Sequence, residues 1–494
     1  MGRRLLLLLC ALAGMAPVAE GRTLVVGSKA FTEAVILGEA ARLVLEDAGF
    51  DIAHRRDLGG TRVLFSAVQR GDIDLYVEYS GTLRYEVFAE DRPAMQALRQ
   101  KLAARGLTLG PPLGFNNTYA LAMRADHATR LNIDTIADLA RHPDLTFGFS
   151  NEFMDRADGW RALKQRYDLP QRRVQGLQHD LAYRAIGSGR VDVIDAYSTD
   201  AEIAAYDLVT LTDNRGHFPT YDAAYLYRRD LPDRAMRALN RLAGQIDADA
   251  MRRANAAVKL DGERDTRVAA RLLQQQAGLI VSVDAADGLA GRLVRRTGEH
   301  LGLVAASLGL AMLLAIPLGI AAARRPRLGQ GVLGVVGVLQ TIPSLALLVA
   351  LIPLTGIGWL PTVAMLFTYS LLPLVRNTHA GLTGIPLPLR EAAEALGLTR
   401  RTRLWRVDLP LALPTILAGI KTAAVINVGT ATLGALVGAG GYGQPILTGI
   451  RLDDQALILE GAIPSAALAL MVVVLFDGLE RLLVAPPLRG SKQQ

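Results

Sequence analysis

The stretch "EAAEALGLTRRTRLWRVDLPLALP", residues 391–414, decides how this chain is read. It places Arg400, Arg401, Arg403 and Arg406 within seven residues, yet it sits in the most apolar half of the protein. "REAAEAL" is built of strong helix formers, Gly397 permits a break, and "TRRTRLWRVDL" resumes a helix with Thr399 as N-cap. The spacing therefore predicts a compact knuckle of two short helices around a glycine. By composition alone, a solvated basic loop that merely obeys membrane topology is the alternative.

On either side of this knuckle the sequence reads as membrane. Apolar runs at about 301–323, 331–353, 357–375, 413–436 and 461–480 each approach the roughly 20 residues that cross a bilayer as a helix. The 494 residues are 51% hydrophobic with mean hydropathy +0.25, too apolar for a wholly soluble protein. An odd number of spans puts the two ends of this half on opposite sides. The net charge of +7 and pI near 9.6 fit that topology better than nucleic acid. With span one running inward, "ARRPR" (323–327), the segment 376–406 and the tail bearing Arg489 and Lys492 are cytoplasmic. The outer loop 437–460 carries only Arg451 as a basic residue, as the positive-inside rule requires. Arg292, Arg295 and Arg296 run against it, although large exported domains translocate largely regardless of such charges.

Export is implied by the start, "MGRRLLLLLCALAGMAPVAEGRT", where Arg3 and Arg4 precede an apolar stretch from Leu5 to about Val18. That run is short for a span and has the signal-peptide pattern, with an uncleaved signal anchor as the alternative. Cys10 is the only cysteine, so disulfides, zinc–thiolate sites and cysteine catalysis are excluded from the rest of the chain. Leu9 stands before Cys10 where lipidation calls for a small residue. From Arg22 to about Val281, β-rich runs such as "TLVVGS", "VDVIDAY" and "GLIVSV" alternate with helical patterns such as "FTEAVILGEAARLVLEDAG". This is an α/β domain with an open sheet, whose ligands bind beyond strand ends or between lobes.

Glu391, Ala392, Ala393 and Gly397, followed by "LPLALP", resemble the EAA signature of ABC importer membrane subunits, whose loop forms the coupling helix that docks on the ATPase. "LQTIPSLALLVALIPLTGIG" and "AAVINVGTATLGALVGAGGYG" resemble permeases of the glycine betaine, carnitine and choline osmoprotectant group. The soluble half is similar to substrate-binding proteins of the same importers through "GSKAFTEAVILGEA", "DLYVEYSGT", "FNNTYAL", "DVIDAYSTD" and "PTYDAAYLYRRD", in that order. The N-terminal pattern marks a signal peptide (1–21), and the resemblance implies a two-lobed periplasmic-binding-protein domain of type II (22–282). A linker (283–300), an all-α transmembrane permease (301–484) with a coupling loop at 388–410, and a cytoplasmic tail (485–494) follow. Ser80 replaces the usual threonine and Tyr225 a common proline, implying an altered pocket edge.

A quaternary ammonium has no N–H and a diffuse charge, so proteins hold it with aromatic faces at about 0.5–2 kcal/mol per contact. The resemblance places Tyr79, Tyr119, Tyr197 and Tyr221 in such a cage; spacing alone would read them as half-buried strand residues. It also assigns Lys29, Thr82 and Arg156 to a ligand carboxylate, which calls for cationic or hydroxyl donors. Choline-binding relatives tend to carry an uncharged residue where Lys29 stands, so Lys29 favours glycine betaine; choline, carnitine, ectoine and ergothioneine are the alternative ligands. Lys421 and Asn427 are polar groups inside span four, read either as functional or, for Lys421, as snorkelling to the cytoplasmic face. "GAGGYG" (438–443) reads as a tight turn or re-entrant gate. The nearest approach to a GxxxxGK[ST] phosphate loop is "AGIKT", with Ile420 where a glycine is needed. A separate ATPase, no cofactor or metal, and a homodimer with each protomer carrying a tethered receptor at about millimolar local concentration are expected. An osmolyte sensor on a degenerate permease is the alternative, which an intact EAA loop disfavours.

Overall fold

The computed structural model describes residues 22–282, 288–452 and 454–484, so the expected signal peptide, Cys10 and the tail lie outside the described residues. The exported half is two lobes, each built on a five-stranded sheet. The first lobe contains β1 (Leu24–Gly27), β2 (Ile52–Arg55), β3 (Leu75–Tyr79) and β4 (Leu107–Asn116). The second contains β5 (Tyr119–Arg124), β6 (Phe147–Ser150), β7 (Val174–Leu177), β8 (Val193–Tyr197) and β9 (Leu208–Leu211). The chain then returns as β10 (Asp222–Arg228), antiparallel between β3 and β4, giving the orders β2-β1-β3-β10-β4 and β7-β6-β8-β5-β9.

The two crossovers lie side by side: Asn117 N donates to Tyr221 O at 3.1 Å and Tyr221 N to Asn116 Oδ1 at 2.6 Å. Both "NNTY" and "PTYD" therefore meet between the lobes. Helix α1 (Thr32–Asp47) is buried on nearly every side, because it lies beneath helices α2 (Ala248–Lys259) and α3 (Asp265–Ala277) as well as the sheet. Its N-terminus opens directly from the loop that follows β1. The lobes are bridged by Thr199 Oγ1, which donates to Glu33 Oε2 at 2.5 Å, and by Lys259, whose ammonium lies 2.7 Å from Glu202 Oε1 and also binds Asp180.

The membrane half starts with α4 (Leu289–Arg324), so the segment expected as linker is helical from Leu289. At about 1.5 Å per residue its 36 residues exceed the roughly 30 Å hydrocarbon core, and its first turns stand clear of it. Those turns hold Arg292 and Arg296, both paired with Glu460, with Arg292 Nη2 at 2.8 Å. Of the three charges that conflicted with the positive-inside rule, Arg292 and Arg296 thus share one carboxylate, and Arg295 lies 4.0 Å from Glu299.

The expected span 331–353 is a broken one: α5 (Pro326–Thr341) and α6 (Ser344–Thr355) bend by 96°. Ile342, ahead of Pro343, is extended (φ −67°, ψ 124°), a conformation the following ring favours, and the Tyr369 hydroxyl donates to the Ile342 carbonyl. The pair still traverses the domain, since Gly329 lies against Ala322 at the inner end of α4 while Gly356 lies against Asp72 of the receptor. Among the described residues, α4, α7 (Trp359–Thr383), the helical run that includes α10 (Leu409–Thr430), and α12 (Gln455–Leu483) are each long and apolar enough to cross a membrane, and the bent pair counted as one span makes a fifth candidate. Between α7 and α10 stand α8 (Leu387–Ala395) and α9 (Arg400–Arg403), and between α10 and α12 stands α11 (Gly443–Leu452).

Glycines set the close helix packing: a Cβ on Gly319 would lie 2.6 Å from Thr378, and one on Gly419 2.6 Å from Asn377. Asn427 donates to Ser307 Oγ (3.0 Å) and Ser370 Oγ (2.9 Å), tying α10 to α4 and α7 at buried positions. Lys421 pairs with Asp477 on α12 at 2.9 Å. Both polar residues of span four have helix-joining partners.

Candidate functional site

The "GSKAF" turn after β1, the end of β3, the two crossovers and the loop after β6 converge between the lobes. Lys29, Tyr79, Thr82, Tyr119, Arg156, Tyr197 and Tyr221 line one small inner cavity of about 30 Å³, together with Phe31, Asn117 and Glu152. It opens into a cleft of about 650 Å³ between the lobes. The scattered candidates are thus brought together, joined by three residues that carried no assignment. Phe31 and Asn117 stand inside stretches already quoted, "GSKAFTEAVILGEA" and "FNNTYAL", and Glu152 stands four residues before Arg156.

The rings form a connected wall. Tyr119 lies 5.0 Å from Tyr197 at 67° and 5.8 Å from Tyr221 at 73°, both edge-on, while Phe31 sits 5.5 Å from Tyr197 and 6.3 Å from Tyr79. Such edge-on pairs are favourable because a ring's positive edge meets its neighbour's negative face. Burial drives the hydroxyl pKa values of Tyr79, Tyr119, Tyr197 and Tyr221 upward, so the rings stay neutral. The wall already contacts cations of the protein: Lys29 Nζ is 5.3 Å from the Tyr79 centroid, and the Arg156 guanidinium is 5.2 Å from Tyr119 and 5.9 Å from Tyr221.

Each buried cation has its own anion. Lys29 Nζ donates to Glu78 Oε1 at 2.6 Å; Arg156 Nε and Nη2 each donate to Asp158 at 2.7 Å, and Tyr221 donates to the same carboxylate at 2.6 Å. Burial opposes ionisation of Asp158, but the Arg156 guanidinium beside it outweighs that and holds the aspartate pKa down. These pairs fix each charged head while leaving Lys29 two further N–H donors. Behind the wall, Glu33 accepts from Tyr79 (2.5 Å), Asn117 (2.9 Å), Thr199 (2.5 Å) and Asn255 (3.4 Å). Burial raises its pKa, with those hydrogen bonds acting in the opposite direction.

His179 stacks on Tyr197 at 4.3 Å and 22°. Burial disfavours its charge, yet Asp200, 3.0 Å away, and Asp195 raise its pKa to about 9. Of the departures noted in the sequence, Tyr225 does not reach the pocket edge: its hydroxyl donates to Leu37 O at 2.9 Å inside the first lobe. Ser80 lies behind the cavity, bonded to Thr220 O and Asp222 N.

At the opposite end of the chain, the knuckle has the expected form. Gly397 takes the left-handed conformation (φ 72°) between α8 and α9, and Thr399 Oγ1 accepts from Thr402 N at 3.3 Å as N-cap. Ala393 is buried against the helices and Arg403 binds Glu394, while Glu391, Ala392, Leu396 (79% exposed) and Trp405 (65% exposed) face outward.

Residues 22–275, just over half of the chain, match the substrate-binding domain of ABC-type glycine betaine transport systems, and residues 315–485 match the binding-protein-dependent transport system inner membrane component. The chain belongs to this transport family, as a substrate-binding domain fused to its permease. The permease half is 38% identical to the glycine betaine/carnitine/choline transport system permease protein OpuCB of Bacillus subtilis (strain 168), covering 41% of this chain and 94% of that protein. It is 43% identical to the osmoprotectant import permease protein OsmW of Salmonella typhimurium (strain LT2), covering 40% and 95%. The receptor half is 28% identical to a chain in a crystal structure described as a glycine betaine/carnitine/choline ABC transporter, covering 51% of this chain and 98% of that one, with TM-score 0.44. The protein is therefore an inner-membrane transport component with an extracytoplasmic binding domain.

Proposed function

We propose that the chain is the receptor and permease of an ATP-driven importer of a quaternary-ammonium osmoprotectant, with glycine betaine as its ligand. The observation that carries this is the inner cavity, where tyrosine faces and the cationic heads of Lys29 and Arg156 line the same space. A trimethylammonium group needs the faces, and a carboxylate needs the cationic donors. Choline would use the first and make no use of the donors that Lys29 keeps beyond its bond to Glu78. The two lobes close on betaine, the receptor delivers it to the outer mouth of its permease, and ATP binding in a separate ATPase moves the knuckle at 388–410 to switch access. Glu391, Ala392 and Gly397 form the ATPase-docking surface, with Ala393 packed beneath it, and Leu396 and Trp405 add exposed apolar area. Two copies pair through their permease domains to complete the pathway.

Calorimetric titration of the full chain with betaine, choline, carnitine, ectoine and ergothioneine tests the ligand. Uptake of labelled betaine with and without the ATPase tests the transport. Tighter binding of choline than betaine would overturn the carboxylate assignment, and a ligand response without ATPase-dependent uptake would favour a sensor.

A further inference from the structure

The only basic residue of the outer loop, Arg451, is 3% exposed, because it is buried in the first lobe of the receptor. Its Nε lies 3.1 Å from Asp57 Oδ1, its Nη2 3.5 Å from Asp265 Oδ2, and its Nη1 donates to Thr32 Oγ1 at 3.3 Å. Gln444 and Thr448 reach the other Asp57 oxygen at 3.4 Å each. Residues 444, 448 and 451 share one face of α11, so a whole helical stripe grips a single carboxylate. Alongside, the "GAGGYG" segment is a tight turn with Gly438, Gly440 and Gly441 all at positive φ, and a Cβ on Gly438 would lie 2.6 Å from Leu58. Docking thus joins a buried ion cluster to an apolar contact.

Three features make this contact more than an attachment. Thr32 opens α1 immediately after Phe31 and before Glu33, so Arg451 bonds the back of the segment that forms the cavity wall and the interlobe bridge. Asp57 stands just before Gly59, Gly60 and Thr61, which line the interlobe cleft. Asp265 also binds Arg56 at 3.5 Å, which in turn binds Glu39 of α1. Only residues 283–287 separate Ser282 from Gly288, six peptide steps that span at most roughly 22 Å, so the docked receptor belongs to its own permease. Buried charge also makes the contact selective: an arginine withdrawn from Asp57 and Asp265 leaves uncompensated charge on both sides.

We propose that Arg451 is the residue through which the permease senses the ligand-binding segment Lys29–Glu33 of its own receptor, so that docking and ligand occupancy strengthen each other. The docked arrangement coexists with bridged lobes, and thermodynamic linkage requires the coupling to run equally in both directions.

The test uses the full chain in lipid nanodiscs, with hydrogen exchange and betaine titration on Arg451→Gln, Asp57→Asn, the double variant and Arg451→Lys. Amides 55–60 report docking and amides 31–35 report the cavity segment, both without ligand. In Arg451→Gln, exchange should rise at least tenfold at both segments and betaine affinity should fall at least fivefold. Asp57→Asn should do the same from the receptor side, the double variant should add less than twofold, and Arg451→Lys should recover part of each effect. Unchanged exchange at 55–60 overturns the docking role. Raised exchange at 55–60 with unchanged exchange at 31–35 or betaine affinity within twofold overturns the coupling. Betaine enters only as the probe from the proposed function: a wild-type chain that binds no betaine defeats that ligand, and the exchange at 31–35 still decides this inference.

Discussion

Replacing Tyr197 by leucine tests the aromatic wall at the ring that joins Phe31 to Tyr119. The ring lies 5.5 Å from Phe31, 5.0 Å from Tyr119 and 4.3 Å from His179, so it presents one face to the imidazole and lines the cavity with the rest. Leucine keeps apolar volume and removes the quadrupole. The loss for a bound quaternary ammonium is one cation–π contact, about 0.5–2 kcal/mol. At 1.4 kcal/mol per tenfold, that is a rise in Kd of roughly 2- to 30-fold. The desolvated site, walled by buried Tyr119 and Tyr221, places the expectation in the upper part of that range. Tyr197→Phe keeps the face and should bind within about threefold of wild type, which separates ring electrostatics from the hydroxyl. The assay is calorimetric titration of the full chain with betaine, checked by an unchanged melting transition of the permease half. Equal affinity for Tyr197→Leu and wild type would refute the cage at this position, and a loss shared by Tyr197→Phe would reassign the effect to the hydroxyl.

Glu33→Gln leaves an amide nitrogen facing donors that now meet a carboxylate, so buried donors lose acceptors at about 1–3 kcal/mol; differential scanning fluorimetry should show the receptor transition several degrees lower. His179 has a folded pKa of about 9, above its ordinary value of 6.5, so its stabilisation is complete below about pH 6.5 and is lost as pH rises through 9. Receptor melting temperature should accordingly fall between pH 7 and 10, and His179→Asn should flatten that fall. Gly397→Pro demands φ near −65° where the chain holds 72°, so it should abolish co-purification of the ATPase and uptake while leaving betaine affinity unchanged.

Much of the architecture was legible because its signals are local. Crossing a bilayer takes about 20 contiguous apolar residues, and four of the five expected spans overlap a continuous apolar helical run of the structure. The fifth, 331–353, breaks at Ile342–Pro343, a step that disfavours helical geometry but also stands inside helices at Ile352–Pro353 and Ile463–Pro464, so the proline alone does not mark the break. The knuckle was legible because Thr399 and Gly397 act on their own backbone. The candidate binding residues were named from family resemblance, and no periodicity joins Tyr79, Tyr119, Tyr197 and Tyr221. Glu33, Phe31 and Glu152 went unassigned because their partners, such as Thr199 and Asn255 for Glu33, are distant in sequence.

By itself, then, the amino-acid sequence determined an exported α/β half, a run of membrane helices and a basic glycine-hinged loop on the inner side. These follow from helix propensity, hydropathy and charge placement, which act over a few turns of chain. Tertiary structure alone decided that Lys29 and Arg156 are held by Glu78 and Asp158, that Glu460 pairs with Arg292 and Arg296, and that Arg451 leaves its loop to enter the receptor between Asp57 and Asp265. A buried charge must find its counter-charge wherever folding brings one, and that distance in space leaves no trace in the spacing of the residues.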